Sequence, residues 1–209
     1  MTIALVDYGA GNLTSVRKAF AYLGAEFYTP DSPADLARAS AVVVPGVGHF
    51  SATSSLTPDW HAAVRAGLAA GRPLLGICVG MQWLYEGSTE ARECPGLGVI
   101  EGRCTKLTGG PDHLKVPHVG WNTLELPKAS HLFSDLADNS SVYFTHSFAG
   151  PVNAATAAVT VHGGQPFAAA VEDGLVMGVQ FHPEKSSETG LAILRNFLRR
   201  VAQAAQGSH

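Results

Sequence analysis

Pro73-Leu74-Leu75-Gly76-Ile77-Cys78-Val79-Gly80 passes from an apolar run straight into a glycine-flanked cysteine. A short apolar run bounded by turn residues fits a strand buried on both faces, as in a parallel sheet. The spacing predicts a strand over 73–77 and a helix after Cys78. Upstream, the same alternation recurs. Ile3-Ala4-Leu5-Val6 is another apolar run; Leu13, Val16, Phe20 and Leu23 then recur at helical spacing until Gly24. Strands are expected over 26–29 and 41–44, the second stopped by Pro45-Gly46, and a helix over 60–70 closed by Gly71. Strand alternating with helix implies a parallel sheet with right-handed crossovers.

Downstream the chain is richer in strands. Residues 116–126 and 142–145 read as extended, and 166–181 as a hairpin around Asp173-Gly174. A final helix places Leu191, Leu194, Leu198 and Val201 on one face, with Arg195, Arg199 and Arg200 largely on the other. There is no internal repeat, low-complexity tract or linker. The expectation is one α/β domain over 1–205 with a mixed, largely parallel sheet flanked by helices, and a tail over 206–209.

The 209 residues carry 46% apolar and 15% charged side chains, with a formal net charge of −3. That composition supports a packed core and argues against disorder. No Lys/Arg run marks a nucleic-acid groove or a membrane surface. The start of the chain reaches Asp7 without a basic leader or a long apolar stretch, so no signal peptide or membrane span is read. Cys78, Cys94 and Cys104 form no CxxC pair and suit a reducing, cytoplasmic setting. Gly9 and Gly11 lack the further glycine of a dinucleotide fingerprint, and no metal-ligand spacing stands out, so neither cofactor nor metal is expected.

Gly76-x-Cys78-x-Gly80 between strand and helix has the form of a nucleophile elbow. The turn would expose Cys78 at the sheet's edge, with the helix N-terminus favouring a thiolate and the Val79 N–H facing a developing oxyanion. Taken alone, it reads equally as a buried cysteine beside structural glycines. Phe181-His182-Pro183-Glu184 is the second signal. At a strand's end His182 and Glu184 would point to one side, so the carboxylate would orient the imidazole. Alone, it reads more readily as a surface turn. Together the two segments supply nucleophile, base and orienter in one chain order. Cys94, Cys104 and the histidines His49, His61, His113, His131 and His162 have no such context.

With these motifs the sequence resembles the class I, triad-type glutamine amidotransferases. Within them it resembles the glutaminase branch serving imidazole glycerol phosphate synthase. The segments that carry the narrower resemblance are Tyr8 to Asn12, Pro45 to Gly48, Gly76 to Gln82, Lys115 to Asn122, His146-Ser147 and Phe181 to Ser186. The resemblance implies a flavodoxin-like fold and a Cys78–His182–Glu184 triad that hydrolyses glutamine. It implies an oxyanion hole from the N–H groups of Val47 and Val79, and glutamine held by Gly48, Gln82, Glu90, His146, Ser147 and Phe148. It also implies a heterodimer with a cyclase/synthase barrel that consumes the ammonia. The partner interface would involve Tyr8, Asn12, Lys115, His118, Trp121, Asn122 and Lys185. Phe148 stands where a tyrosine is commoner. Competing expectations are a glutaminase subunit for another ammonia-using synthase, a non-catalytic binding subunit, and a stand-alone cysteine peptidase or γ-glutamyl hydrolase.

Overall fold

The apolar runs become the middle of a seven-stranded sheet. The structure is a computed structural model and describes residues 1–10, 13–110 and 114–206. Its main strands are β1 (Thr2–Leu5), β2 (Glu26–Tyr28), β3 (Ala41–Gly46) and β4 (Leu74–Cys78) in the first half. The second half adds β5 (His118–Thr123), β6 (Ser141–His146), β7 (Thr156–His162), β8 (Gln165–Asp173) and β9 (Val176–Val179). The sheet runs β7-β8-β9-β4-β3-β1-β2. From β9 to β2 neighbours are parallel, and β7, β8 and β9 pair antiparallel. Helices α1 (Leu13–Tyr22), α2 (Pro58–Ala69), α3 (Val79–Leu84) and α4 (Ser187–Gln206) complete the mixed, largely parallel α/β architecture read from the sequence.

β4 lies near the centre, which explains its unbroken apolar run. Leu74, Leu75 and Ile77 are at most 1% exposed, each burial contributing roughly 1.5–3 kcal/mol. Gly24 and Gly71 adopt φ of 71° and 80° where α1 and α2 end, the left-handed stop that glycine accepts at little cost. α4 buries Ile193, Leu194, Phe197, Leu198 and Val201, so its core stripe is wider than the leucines suggest, and Leu191 is only partly buried. The helix also runs through Gln206, one residue past the expected end of the fold.

Pro45-Gly46 does not stop β3 but belongs to it, with Pro45 opposite Ile77 and Gly46 opposite Cys78 of β4. Backbone groups on a strand alternate sides. Val42 N–H bonds toward β4 at Pro73 and Val43 C=O accepts from Val6 on the β1 side. The missing N–H of Pro45 therefore faces β1, which has ended at Leu5, and no ladder bond is lost. β7 is a strand the sequence reading passed over. β5 and β6 form a separate antiparallel ribbon with His118 opposite His146. No helix among the described residues is long and apolar enough to cross a membrane.

Candidate active site

The elbow forms where β4 meets α3. Cys78 has φ 55° and ψ −109°, a conformation that costs a non-glycine residue on the order of 1–3 kcal/mol and recurs at functional sites. The flanking glycines are required sterically. A Cβ on Gly76 would lie 2.5 Å from the Gly80 carbonyl oxygen, and one on Gly80 would lie 1.7 Å from that of Val44. The turn is thus pressed against both its own strand and β3. α3 has only six residues, so a large macrodipole does not act on the sulfur.

β9 ends beside β4, with Val179 opposite Ile77, and three further residues carry the chain to His182. The imidazole Nδ1 lies 2.8 Å from Glu184 Oε1, with both side chains at most 2% exposed. Glu184 sits in a 3₁₀ turn over Pro183–Lys185. The pair is closed by that turn and not by strand alternation, which corrects the sequence expectation. Ser186 Oγ donates to His182 C=O at 2.6 Å and accepts the Tyr143 N–H at 2.9 Å; His182 N–H donates to Tyr143 C=O at 2.9 Å. These bonds fix the turn against β6. Burial alone would depress His182, but its interactions with Cys78 and Glu184 outweigh burial and raise its pKa to about 10. The largest raising influence is the Cys78 sulfur as a hydrogen-bonding neighbour, followed by Glu184, although Nε2 has no partner of ordinary geometry among the described residues.

Beside Cys78 opens a cavity lined by Val79, Gly48, Gln82, Glu90, His146, Ser147 and Phe148. One Glu90 oxygen accepts the Phe50 N–H at 2.8 Å. Gln82 Nε2 donates to Phe148 C=O at 2.9 Å and to Gln180 Oε1 at 3.1 Å. Both Gln82 protons are thus committed within the protein, and its carbonyl oxygen is what remains for a ligand. A thiol, an imidazole–carboxylate pair and a polar cavity meet at one sheet edge, the arrangement that acyl transfer through a thioester requires.

The glutamine amidotransferase class-I family model matches residues 4–201. The chain belongs to that family. It is 46% identical over 205 residues to imidazole glycerol phosphate synthase subunit HisH of Gloeobacter violaceus, covering 96% of this chain and 90% of that one. It is 44% identical to the subunit of the same name from Deinococcus radiodurans, covering 97% and 95%. Among solved structures, a glutamine amidotransferase crystal structure superposes with a TM-score of 0.73 at 20% identity over 96% of this chain and 98% of that one, a likeness of fold.

Other residues of this amidotransferase lie differently from expectation. Tyr8 is 9% exposed and so offers a partner little surface. Its hydroxyl is buried without a hydrogen bond among the described residues and stands where a Cβ on Gly46 would lie, 1.9 Å away. Gly46 is therefore needed for space, whereas Gly48, at φ 90°, is needed for conformation. His118 is 4% exposed and faces inward, and Asn122 is half-buried and bonded to it at 3.2 Å; neither presents a free side chain. Trp121, 57% exposed, and the exposed Lys115 and Lys185 do lie on the surface. Asn12 lies outside the described residues. Val47 does not line the cavity that Gly48 and Val79 share. Sequence reasoning missed Gln180, which is fully buried and donates to Cys78 Sγ at 3.6 Å. Its signal was its position two residues before His182, one strand repeat away.

Proposed function

We propose that this chain is the glutaminase subunit of an imidazole glycerol phosphate synthase. In this reading it supplies ammonia to a separate cyclase subunit in histidine biosynthesis. The observation that carries the reading is the buried His182–Glu184 pair beside the strained Cys78, in a chain 46% identical over nearly its full length to a subunit of that name. The glutamine amidotransferase domain extends to the end of α4 at Gln206, and the site works in the cytoplasm.

The chemistry is a two-step acyl transfer. The Cys78 thiolate attacks the side-chain amide carbon of glutamine, and the oxyanion is held by the N–H groups of Val79 and Val47. His182 delivers its Nε2 proton to the leaving nitrogen; the C–N bond breaks, ammonia departs and a γ-glutamyl thioester remains. Water then attacks, giving its proton back to Nε2, and the C–S bond breaks to release glutamate. The buried, unpaired Nε2 is the atom this cycle uses twice. In this reading the Val47 N–H joins the oxyanion hole only when the loop turns at Gly48, whose φ of 90° marks it as the pliant point. One such donor is worth roughly 10²–10³ in rate. Catalysis is therefore slow in the free chain and rises when the partner docks.

The docking face includes Trp121 and Lys185. Trp121 lies 6.2 Å from the Tyr143 ring, and Lys185 Nζ is 5.9 Å from it. With Val119, also 57% exposed, they form an aromatic and apolar patch edged by a lysine on the outer side of the β5/β6 ribbon; its aromatic residues are of the kind enriched at interfaces. The test is glutamate release by the free chain and by its mixture with the candidate cyclase. Cys78→Ala should abolish the glutamine-dependent reaction while ammonium-dependent synthesis by the complex continues. Glutaminase turnover in Cys78→Ala would sink the reading. Undiminished turnover without any partner would favour a stand-alone hydrolase.

A further inference from the structure

Cys78 is met by a chain of side-chain amides whose orientation can be deduced proton by proton. Phe148 C=O can only accept. Gln82 Nε2, 2.9 Å away, must be the donor to it. The same nitrogen lies 3.1 Å from Gln180 Oε1, so its second proton goes there and Gln180 must present oxygen on that side. The Gln180 NH₂ is then left on the other side, where Cys78 Sγ lies at 3.6 Å. No alternative flip of either glutamine keeps all three bonds.

The geometry points to Gln180 as a positioning residue for the nucleophile: its amide N–H holds the Cys78 sulfur, and Gln82 holds that amide in the donating orientation. The inference rests on Cys78 being the nucleophile, as proposed above. A donor to sulfur interacts more strongly with the thiolate than with the thiol. It also restrains rotation about the Cα–Cβ bond, so the sulfur stays within reach of the cavity while Nε2 of His182 has no partner of ordinary geometry among the described residues. Gln180 is suited to this because it does not move. It is 0% exposed, its backbone N–H donates to Ala169 at 2.8 Å, and Gln82 is itself only 3% exposed.

The same deduction extends past Phe148. Its carbonyl also accepts from His146 Nδ1 at 2.9 Å, which leaves His146 Nε2 bare. His118 Nδ1, 3.1 Å away, must donate to it, and His118 Nε2 then accepts from Asn122 Nδ2 at 3.2 Å. Asn122 is locked by donating to Val161 C=O at 3.1 Å and accepting the Thr123 N–H at 2.8 Å. Both imidazoles are therefore neutral. Burial indeed drives His118 down to about 4 and His146 to about 3. The Phe148 carbonyl that orients Gln82 is thus anchored from β5 as well.

The experiment uses the full chain and follows alkylation of Cys78 by iodoacetamide, read on the Cys78 peptide by mass spectrometry, beside glutamine kinetics. Gln180→Met keeps the length of the side chain but cannot donate. It should slow alkylation and kcat by about ten-fold each, the scale of one hydrogen bond to a charged group, with KM for glutamine unchanged. Gln180→Glu is closer in shape yet turns an oxygen toward sulfur, so it should be worse than Met; a packing role would rank the two the other way. Wild-type alkylation and kcat in folded Gln180→Met would overturn the assignment. Should both variants fail to fold, the wild-type protein labelled with ¹⁵N in glutamine side chains decides. The Gln180 amide resonance must move when Cys78 is alkylated, and an unmoved resonance overturns the proposal. Alkylation involves no glutamine, so this result is separate from whether the chain is a glutaminase.

Discussion

His182 and His146 lie within electrostatic reach of one another, yet they are prepared for opposite charges. Both are buried, and burial alone depresses an imidazole. His146 faces a backbone carbonyl and another neutral histidine, and its pKa falls to about 3. His182 has the Glu184 carboxylate at 2.8 Å and Cys78 nearby, and its pKa climbs to about 10. The difference teaches that anionic neighbours, not depth, decide which histidine carries the moving proton. It also separates two kinds of order. Around His146 the hydrogen bonds run on without a gap. Around His182 two polar atoms, its own Nε2 and Glu184 Oε2, are buried without hydrogen bonds among the described residues. Such atoms are costly in a folded chain, and here both belong to the imidazole–carboxylate pair.

The contrast can be broken most severely at His182 itself. His182→Asn should lower kcat by at least ~10²-fold, the scale of general acid–base catalysis, measured as steady-state glutamate release in the partnered enzyme. Glu184→Gln should cost less than Cys78→Ala. It removes the charge that separates His182 from His146 but leaves a group able to orient the ring. Wild-type kcat in both variants would return the His-Pro-Glu segment to a plain turn.

A smaller effect lies in the pH dependence of stability. For His182 the folded pKa is raised, so its contribution is fully present below about 6.5 and is lost as pH climbs toward about 10. For His118 and His146 the folded pKa is lowered. Their contribution is present above about 6.5 and is lost as pH falls toward about 4 and then about 3. Urea midpoints across this range should therefore decline on the alkaline limb through His182 and on the acid limb through the neutral pair. His118→Phe retains a ring to stack on Phe144, 4.7 Å away in the native pair, and should flatten only the acid limb. An unaltered acid limb in that variant would show that the ribbon histidines do not resist protonation.

Much of this was legible in the sequence because the relevant signals are local. The Val- and Leu-rich runs of β3 and β4, the glycine stops of α1 and α2, and the glycines at 76 and 80 each carry their reason within a few residues. What escaped depends on contacts across the sheet. Gln180 meets Cys78 because β9 pairs with β4, which no spacing of 102 residues reveals. Tyr8 passed for a surface residue because a glycine-rich loop gives no sign of the strand above it. His118 was read together with its exposed neighbours, although a ribbon sends adjacent residues to opposite faces. β7 escaped because Ala157 and Ala158 weaken its strand signal beside Val159 and Val161.

The pairing of His118 with His146 has a consequence for how the chain becomes active. A slip of a single residue along this ribbon would exchange His118 for Val119, sending the imidazole out to solvent and the valine in. The misaligned ribbon could keep most of its ladder, yet His146 would lose the His118 donor that fixes its tautomer and so its N–H toward the Phe148 carbonyl. A stalled folding product of this kind would look native by its strand content and would fail at the sulfur. Turnover per molecule of freshly refolded protein would then act as a proofreading signal for ribbon alignment, finer than any spectroscopic measure of sheet.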